Sequence, residues 1–507
     1  MHIDVILAAP IVFVSLMATA SMVLDALKTK ENGKTVFLFS IYVLMATFVL
    51  SALTFSPNSH FGLVALLSKL GLASAPETLP SGEMLTVFNG MVSVGGYGCF
   101  FDMIFTLGGI MTILAARPFL ESEKLEHSEF YTLILFAVAG MMLISHATNM
   151  LTLFIGIEVM SVTFYILSGY TRTNEKSVES SLKYFLLGAF ATGFLVYGIA
   201  LIYGATGSMD YATIASATHG DIRFPTLLLI GIGLMIVGLS FKTALFPFHQ
   251  WAPDVYSGAP TVVTAFMSTA GKAAALAAFM PIIQVSLPAA IAYDGSNKIQ
   301  MMLAVISALT MLIGNISALV QKDVKRMLAF SSVAHAGYLL MGLVAANPEG
   351  RSGIMFYSAS YLFMQIGSFI ILSVLERSGQ TNHSLESFNG LSKKYPILAA
   401  LMSIFMFSLA GIPPFAGFFG KYYLFTAAIH ANFTWLTIVA VVSSVISVYF
   451  YIGLIVNMYF KESQEQEHES QPGLAAISLV LSTAGIIILG LLPSAVLSIA
   501  QASFGNH

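Results

Sequence analysis

Long apolar stretches dominate this chain and limit what it can fold into. About 20 consecutive apolar residues are needed to cross the hydrocarbon of a bilayer as a helix, and stretches of that length recur along the 507 residues. Only 9% of the residues are charged, whereas soluble domains carry about 25%. A soluble fold of this size could not cover its surface, so the sequence predicts an all-α, multi-pass membrane protein.

The length rule predicts about 14 transmembrane helices. A long loop is expected at 56–96, and its short apolar pieces leave an interfacial helix as an alternative. Three spans, 227–256, 396–430 and 434–460, exceed ~25 residues and must tilt, bend or extend past the bilayer. The predicted spans are 5–27, 35–55, 97–117, 129–147, 148–170, 181–204, 227–256, 260–283, 300–320, 326–345, 353–375, 396–430, 434–460 and 473–498.

Basic residues divide unevenly between the two sides of the membrane. Cytoplasmic loops normally carry the excess of lysine and arginine, which places the N-terminus outside. Fourteen basic residues then lie in cytoplasmic loops and four in the opposite loops. The bias predicts that both termini lie on the outer, periplasmic side of a bacterial inner membrane. MHID lacks the basic start of a signal peptide, so the first span is expected to be retained. The cytoplasmic set is Lys28, Lys30, Lys34, Arg117, Lys124, Arg172, Lys176, Lys322, Lys325, Arg326, Arg377, Lys393, Lys394 and Lys461.

Two spans are interrupted by proline or glycine, each with a lysine nearby. In FKTALFPFHQWAPDVYSGAP (241–260), Pro247 breaks the seventh helix shortly after Lys242, because proline lacks an amide donor and clashes with the preceding turn. In GIPPFAGFFGK (411–421), the twelfth helix is broken before Lys421. In hydrocarbon, the freed backbone groups and the charge need partners or water. Such broken helices favour ion or proton movement.

A short internal repeat relates the two halves of the chain. MLTLFIGIEVMS, from Met150, and MLAFSSVAHAGY, from Met327, place Glu158 and His335 at the same offset of 177 residues. The matching spans would run in opposite directions, as would the two broken spans, which is the pattern of an inverted repeat. A chance match of two short segments is the alternative.

Glu158 and Lys242 are the main candidates for a proton-transfer pair. Glu158 lies about ten residues into its span, and Lys242 lies ~22 Å into its own at 1.5 Å per residue. Intramembrane ionisable residues are candidates for function. A nearby carboxylate helps a buried lysine keep its proton, so separating the pair would release that proton. The alternatives are a carboxyl group kept for packing and a lysine that snorkels to an interface.

Three further lysines lie inside or at the edge of spans. Lys272 is near mid-span among small residues, which suit close helix packing, and a structural ion pair is the alternative. Lys421 follows the second break and is the candidate for a terminal proton site, with an interfacial anchor as the alternative. Lys183, in the first turn of its helix, could serve as an anchor or in the pathway.

Two histidines and two aspartates complete the candidates. His249 directly follows the break and could carry protons or satisfy carbonyls that Pro247 frees. His335 is mid-span and could carry protons or simply pack. Asp102 is an intramembrane acid with no evident partner. Asp254 lies near a cytoplasmic helix end, where helix capping competes with a functional role.

Several kinds of chemistry have no support in the sequence. No phosphate-binding loop, dinucleotide fingerprint or Cys/His metal spacing is present. The single cysteine, Cys99, excludes an internal disulfide and a cysteine-based metal or iron–sulfur site. The net charge of −3 gives no sign of nucleic-acid binding. We expect no cofactor, metal or electron carrier in this chain.

These motifs resemble a known family. FKTALFPFHQWAPDVYSGAPTVVTAF, with IGIEVMS before it and SLAGIPPFAGFFGKYYLF after it, is similar to subunit N of the proton-pumping NADH-quinone oxidoreductase, respiratory complex I. The similarity covers roughly the third to the thirteenth span. The segment PFHQWAPDVY and the lysine after the second break fit this antiporter-like subunit better than its sister subunits.

The resemblance implies a fold of 14 helices, with two inverted five-helix repeats and broken helices 7 and 12. The expected segments are 1–128 (three helices), 129–283 (first repeat), 284–460 (second repeat) and 461–507 (helix 14). A proton path would follow a mid-membrane polar axis. The matching positions are Glu158 and Lys242 for the coupling pair, Lys272 for the connecting lysine, Lys421 near the outer exit, and Lys183 with a less settled role.

By the same resemblance, the chain would be a subunit of a translocase that couples quinone reduction elsewhere in the complex to proton transfer. NADH, FMN, iron–sulfur clusters and quinone are expected in other subunits. The expected partners are neighbouring antiporter-like and small membrane subunits, and lipid. The alternatives are a cation/proton antiporter subunit, or a structural role in a hydrogenase- or ferredoxin-linked relative.

Overall fold

The computed structural model describes residues 2–27, 32–55, 85–123, 125, 128–218, 224–283, 298–377, 383–462 and 472–503. Within these ranges the chain is almost entirely α-helical, as predicted, with a short 3₁₀ helix at Leu385–Phe388. The α-helices are α1 His2–Leu7, α2 Ala9–Ala26, α3 Asn32–Thr54, α4 Gly96–Ser122, α5 Glu129–Ser145, α6 Met150–Ser168, α7 Glu175–Thr206, α8 Tyr211–Thr218, α9 Pro225–Thr243, α10 Trp251–Gly258, α11 Thr261–Pro281, α12 Lys298–Leu319, α13 Val324–Ala345, α14 Pro348–Arg377, α15 Leu391–Lys394, α16 Pro396–Ala410, α17 Ala416–His430, α18 Thr434–Phe460, α19 Ala475–Leu491 and α20 Pro493–Ala502.

The helices account for the predicted spans. In the described ranges, eleven helices are long and apolar enough to cross a membrane, or twelve if the bent pair α19–α20 forms one span. Two more apolar helices, α5 and α16, are shorter, with 17 and 15 residues. Every predicted span thus has a helical counterpart. The total of 14 spans, the inverted repeats and the segment boundaries stay predictions.

The predicted break in the seventh span is present. Helix α9 ends at Thr243, where Ala244 adopts left-handed backbone geometry with φ of 59°, and α10 begins at Trp251. The amide of Phe246 lies inside the break and donates to Oγ1 of Thr310 on α12, at 3.0 Å. A side chain of a neighbouring helix therefore satisfies a backbone group that the break frees.

The predicted break in the twelfth span is present as well. Helix α16 ends at Ala410 and is followed by Gly411, whose φ of 85° favours glycine, before α17 begins at Ala416. The Phe246–Pro247 and Pro413–Pro414 peptide bonds, one in each break, are both cis.

Two helices depart from the straight spans expected from sequence. The predicted span 473–498 is wrong as one helix, because α19 and α20 meet at an angle of 86°. Pro493 begins α20 and has no amide proton to continue the preceding helix. In α11, residues Met267–Gly271 form a π-helical turn immediately before Lys272. Such turns are frequent at functional sites.

The predicted loop 56–96 contains strand structure that the sequence did not suggest. Strands β1 (Thr86–Val87) and β2 (Val92–Ser93) form an antiparallel hairpin next to the start of α4. Residues 56–84, including the alternative of an interfacial helix, lie outside the described residues.

The helices form an inner group and an outer group. Helix α11 is fully buried, and α4, α13 and α14 are mostly buried, whereas α2, α7 and α18 expose much of their surface. The outer helices present large apolar side chains such as Phe190 and Tyr449, as lipid-facing helices do. The polar residues considered next lie mainly on or between the inner helices.

Candidate functional site

Lys242 is a buried cation held by uncharged oxygens. It lies in the last turn of α9 and is 5% exposed. Its Nζ donates to Oγ of Ser161 at 2.7 Å and to the hydroxyl of Tyr165 at 3.2 Å, both on α6. The interface alternative for Lys242 does not fit this burial, because a snorkelling lysine keeps its ammonium group in water.

Glu158 lies one turn before Ser161 on α6 and is partly buried. Its Oε1 accepts a hydrogen bond from Oγ1 of Thr192 on α7, at 3.0 Å. The sequence predicts a pair between Glu158 and Lys242. Among the described residues, however, no ion pair joins the two side chains. The two side chains of the candidate pair are therefore not in contact. Ser161, one helical turn after Glu158, accepts the hydrogen bond of Lys242 instead.

Lys272 is the most buried of the candidate lysines, at 2% exposed. It follows the π-helical turn of α11, and its Nζ donates to the carbonyl of Ser332 at 2.5 Å and to Oγ of the same residue at 2.6 Å. The ammonium also lies over the ring of Tyr256, 5.7 Å from its centroid. The structural ion pair considered for Lys272 is not formed with any acid in the described ranges.

A chain of polar side chains continues from Ser332 along α13. His335 and Tyr338 follow Ser332 at intervals of three residues, so the three share one helix face. His335 is buried, with Nδ1 2.6 Å from the hydroxyl of Tyr357 and Nε2 3.0 Å from that of Tyr451. Both nitrogens of His335 have partners that can give or accept a proton.

Tyr338 connects this face to α12 and α18. Its hydroxyl accepts a hydrogen bond from Nδ2 of Asn315 at 3.1 Å, and the same amide donates to Oγ of Ser443 at 2.7 Å. The neighbouring Ser444 accepts from Nζ of Lys421 at 2.9 Å. Hydrogen bonds and adjacent residues thus lead from Lys272 to Lys421 through the buried interior.

Lys421 links the two helices of the broken twelfth span, α16 and α17. It is 4% exposed, and its Nζ donates to the carbonyls of Leu409 and Ala410, each at 3.0 Å. These carbonyls end α16, where a cation is favoured by the helix dipole. The ammonium lies 5.0 Å from the ring centroid of Tyr338. The interfacial-anchor alternative does not fit this burial, but Lys421 has a structural role in closing the break.

We expect Lys421→Met to destabilise the complex. Methionine fills similar space but donates to neither carbonyl. Ala410 keeps a long hydrogen bond from Ser444, whereas Leu409 loses its side-chain donor, and a buried acceptor left without a partner costs about 1–3 kcal/mol. Thermal unfolding of the purified complex should show a lower midpoint. Lys461 is exposed, so Lys461→Met is the control. An unchanged midpoint would show that the carbonyls at the break do not depend on Lys421.

Lys183 and Asp254 form a more exposed group at one edge of the site. Nζ of Lys183 is 2.8 Å from Glu179 and 3.1 Å from Asp254, and the lysine side chain is 43% exposed. Asp254 also accepts from Nη1 of Arg326 at 2.8 Å. Its carboxylate therefore joins α7, α10 and α13 by ion pairs rather than capping α10. In the described parts of the protein, the ion pairs of Lys183 lead to Glu179 and Asp254 and not to the buried chain.

His249 lies in the first break, between α9 and α10. Its ring packs against Phe246, with centroids 5.7 Å apart. Nδ1 of His249 is buried and has no hydrogen-bond partner among the residues that the structure describes. This nitrogen therefore satisfies no carbonyl in the break, and the expected role of His249 there stays a prediction.

The partners of two acids were not evident from the sequence. Asp102 had no evident partner there, and in the structure its Oδ2 lies 2.9 Å from Nε2 of His146. Glu376, not singled out at all, accepts from Oγ1 of Thr261 and pairs with His383, each at 2.6 Å. An acid in the last turn of an apolar span was the signal available for Glu376.

Lys325 was counted as a loop residue but is almost fully buried. It lies 3.7 Å from Glu376, and its Nζ donates to the carbonyl of Ala259 at 2.8 Å. The error has a simple cause: helix α13 begins at Val324, so the first turn that carries Lys325 packs inside the protein. Its charge then needs a buried partner.

The comparisons with known proteins agree with one another. Residues 147–447 match the transmembrane family described as NADH:quinone oxidoreductase/Mrp antiporter.

NADH-quinone oxidoreductase subunit N of Trichlorobacter lovleyi is 44% identical over 474 residues, covering 91% of this chain and 96% of that protein. A chain of respiratory complex I from Thermus thermophilus has a TM-score of 0.77 at 31% identity, with 97% of this chain and 99% of that chain covered. A chain of the Mrp complex from Dietzia sp. has a TM-score of 0.81 at 21% identity, covering 100% and 98%, and shows a common fold. The chain therefore belongs to the subunit N family of NADH-quinone oxidoreductases.

Proposed function

We propose that this chain is a proton-translocating membrane-arm subunit of a complex I type NADH-quinone oxidoreductase. Its family membership supports this function. The observation that carries the proposal is the row of polar side chains between Lys272 and Lys421, which lie inside apolar helices and are joined in part by hydrogen bonds. Ionisable groups inside a membrane are costly and are typical of proton relays.

Within this proposal, Glu158 and Lys242 act as the switch. Ser161 and Tyr165 bind the amine of Lys242, and the carboxylate of Glu158 lies on the same helix as these two residues. A change in the charge or position of Glu158 alters its electric field, which is strong in a low-dielectric interior. Lys242 then releases its proton. The loss of this positive charge changes the electric field at Lys272.

The second half of the protein passes the proton onward. Lys272 exchanges it with Ser332, and His335 relays it between Tyr357 and Tyr451. The hydroxyls of Tyr338, Ser443 and Ser444, positioned by the amide of Asn315, bring the proton to Lys421, from which it leaves the subunit. Lys183 and His249 lie beside this route, and their part in proton transfer is secondary.

Electron transfer belongs to other subunits in this proposal. NADH, FMN, iron–sulfur clusters and quinone bind there, and this chain does no redox chemistry itself. It assembles with neighbouring antiporter-like and small membrane subunits as part of a translocase. It spans a bacterial inner membrane with 14 helices in two inverted five-helix repeats, and both termini lie on the outer side.

The test is proton pumping by the complex in proteoliposomes with Glu158→Ala or Lys242→Ala. We expect NADH-driven acidification to fall about tenfold or more, because positioned proton-transfer groups contribute at least ~10² to rate. Assembly should be kept, since no ion pair between the two is broken. Glu349→Ala removes an exposed carboxylate and is the matched control.

Two results would contradict this function. Normal pumping by both variants would show that the pair is not the switch. Sodium or potassium movement driven by a pH gradient, without any redox partner, would instead identify an antiporter subunit, a function consistent with the shared fold of the Mrp chain. The proteins that co-purify with the chain separate the same alternatives.

A further inference from the structure

A second buried pair lies away from the relay, between α4, α5 and the β-hairpin. Asp102 is 0% exposed on α4, and His146 is 3% exposed directly after α5. Nε2 of the imidazole is 2.9 Å from Oδ2 of the carboxylate. Ser51 and Ser145 donate to the carboxylate over longer distances, 3.3 and 3.4 Å. No lysine or arginine forms an ion pair with Asp102 in the described ranges.

The partners of His146 determine where its protons are. Nδ1 lies 2.7 Å from the carbonyl oxygen of Ser93 in β2. A carbonyl only accepts hydrogen bonds, so Nδ1 carries a proton. A neutral imidazole would then present a lone pair at Nε2 to an ionised Asp102, and two acceptors would repel each other. The 2.9 Å contact therefore requires one further proton between His146 and Asp102.

Cys99 is the other titratable side chain that faces this pair. Its Sγ lies one turn before Asp102 on α4 and contacts Oγ1 of Thr54 at 3.3 Å. One ligand atom each from Cys99, Asp102 and His146 lie within 4.8 Å of one another. Cys99 is therefore a third polar side chain of this site.

The pair lies next to the helix that carries Lys272. Tyr97, also on α4, donates its hydroxyl proton to the carbonyl of Ala277 on α11, at 2.8 Å. Ala277 follows Lys272 by five residues, or ~7.5 Å along the helix. His146 and the hairpin mark the nearby ends of α5 and α4, which the predicted topology places at the outer surface. Gly108 of α4 lies beside Ala270 of α11, which runs in the opposite direction in the predicted topology. Asp102, six residues before Gly108, is therefore ~6 Å nearer that surface than Lys272, at 1.5 Å per residue.

We propose that Asp102 and His146 form a further proton-binding site, which takes up one proton and releases it at the outer surface. The inference rests on the proposed function. The bound proton is shared between Oδ2 and Nε2, and its loss leaves a carboxylate that accepts from the two serine hydroxyls. No covalent bond changes and no electron moves.

The test is Asp102→Asn in the complete complex. The asparagine amide can donate to Nε2 of a neutral His146, so the contact survives without the exchangeable proton and folding should be kept. We expect NADH-driven proton pumping to fall about tenfold. An infrared difference spectrum should also lose a carboxyl protonation signal during turnover, which a purely structural contact would not produce. His146→Gln is a second variant that should give the same two losses.

Glu121→Gln is the matched control, since it makes the same chemical change at an exposed position of the same helix. Normal pumping and an unchanged infrared signal in Asp102→Asn would overturn the inference. If Lys242→Ala still abolishes pumping in that case, the proposed function stands, and if neither variant affects pumping, both fail.

Discussion

Replacing Lys272 with methionine is expected to abolish most proton pumping while the complex still assembles. Lys272 is the point where the first half of the protein meets the chain that begins at Ser332. Methionine has similar length but no proton to give or accept. We expect at least a ~10²-fold loss of proton transfer through the subunit, the lower end for a positioned acid–base group.

The contacts of Lys272 also indicate that this variant will fold. Removing one member of a buried ion pair strands the other charge and costs about 3–5 kcal/mol. Lys272 forms no ion pair with the described residues, and its partners are a carbonyl and a hydroxyl of Ser332. An apolar replacement therefore leaves no charge behind. Pumping in proteoliposomes and the thermal midpoint of the complex should be measured together.

Lys393→Met is the matched control, because Lys393 is exposed. If Lys272→Met pumps at the rate of this control, the relay does not pass through Lys272. If the variant fails to assemble, the buried ammonium holds α11 and α13 together, and its main role is structural.

The second large effect is expected at Gly417 in the broken twelfth span. A Cβ at this position would lie 1.8 Å from the carbonyl oxygen of Ser408 and 2.8 Å from its carbonyl carbon. These are backbone atoms of α16, and the next two carbonyls of that helix are bound by Lys421. The backbone cannot move away without breaking those hydrogen bonds. Gly417→Ala should cost about 3 kcal/mol or more, as severe overpacking does.

The measurement is the yield of assembled complex and its thermal midpoint. Gly453→Ala is the matched control, since a Cβ there meets nothing within 4 Å on helix α18. Alanine favours helix over glycine by about 1 kcal/mol, so the control should be neutral or slightly stabilising. Equal yields and midpoints for the two variants would mean that the break does not hold α16 and α17 this closely.

Local chemistry made several features predictable from the sequence. Runs of apolar residues placed the spans, because the length of a membrane helix depends only on bilayer thickness. Pro247 and the Pro413–Pro414 pair placed the two breaks, because proline disrupts a helix whatever surrounds it. Lys242, Lys272 and Lys421 were identified as candidates because a charge inside an apolar span is unusual in any fold.

The partners of these charges were not predictable in the same way. Glu158 was the expected counter-charge of Lys242, but Ser161 and Tyr165 bind the lysine in the structure. Lys325 was assigned to a loop, yet it is buried beside Glu376. Each outcome depends on how a helix is rotated about its axis, which nearly uniform apolar spans do not reveal.

By itself, the sequence determined that the chain crosses a membrane many times, where two helices break, and which charges enter the apolar interior. Only the tertiary structure decided that Asp102 meets His146, 44 residues later in the chain, and that Ser161 and Tyr165 bind Lys242. Span length and helix breaks arise within a few neighbouring residues and leave local signals. Side-chain pairs arise where distant helices meet, and burial then requires each polar group to find whichever partner the packing brings to it.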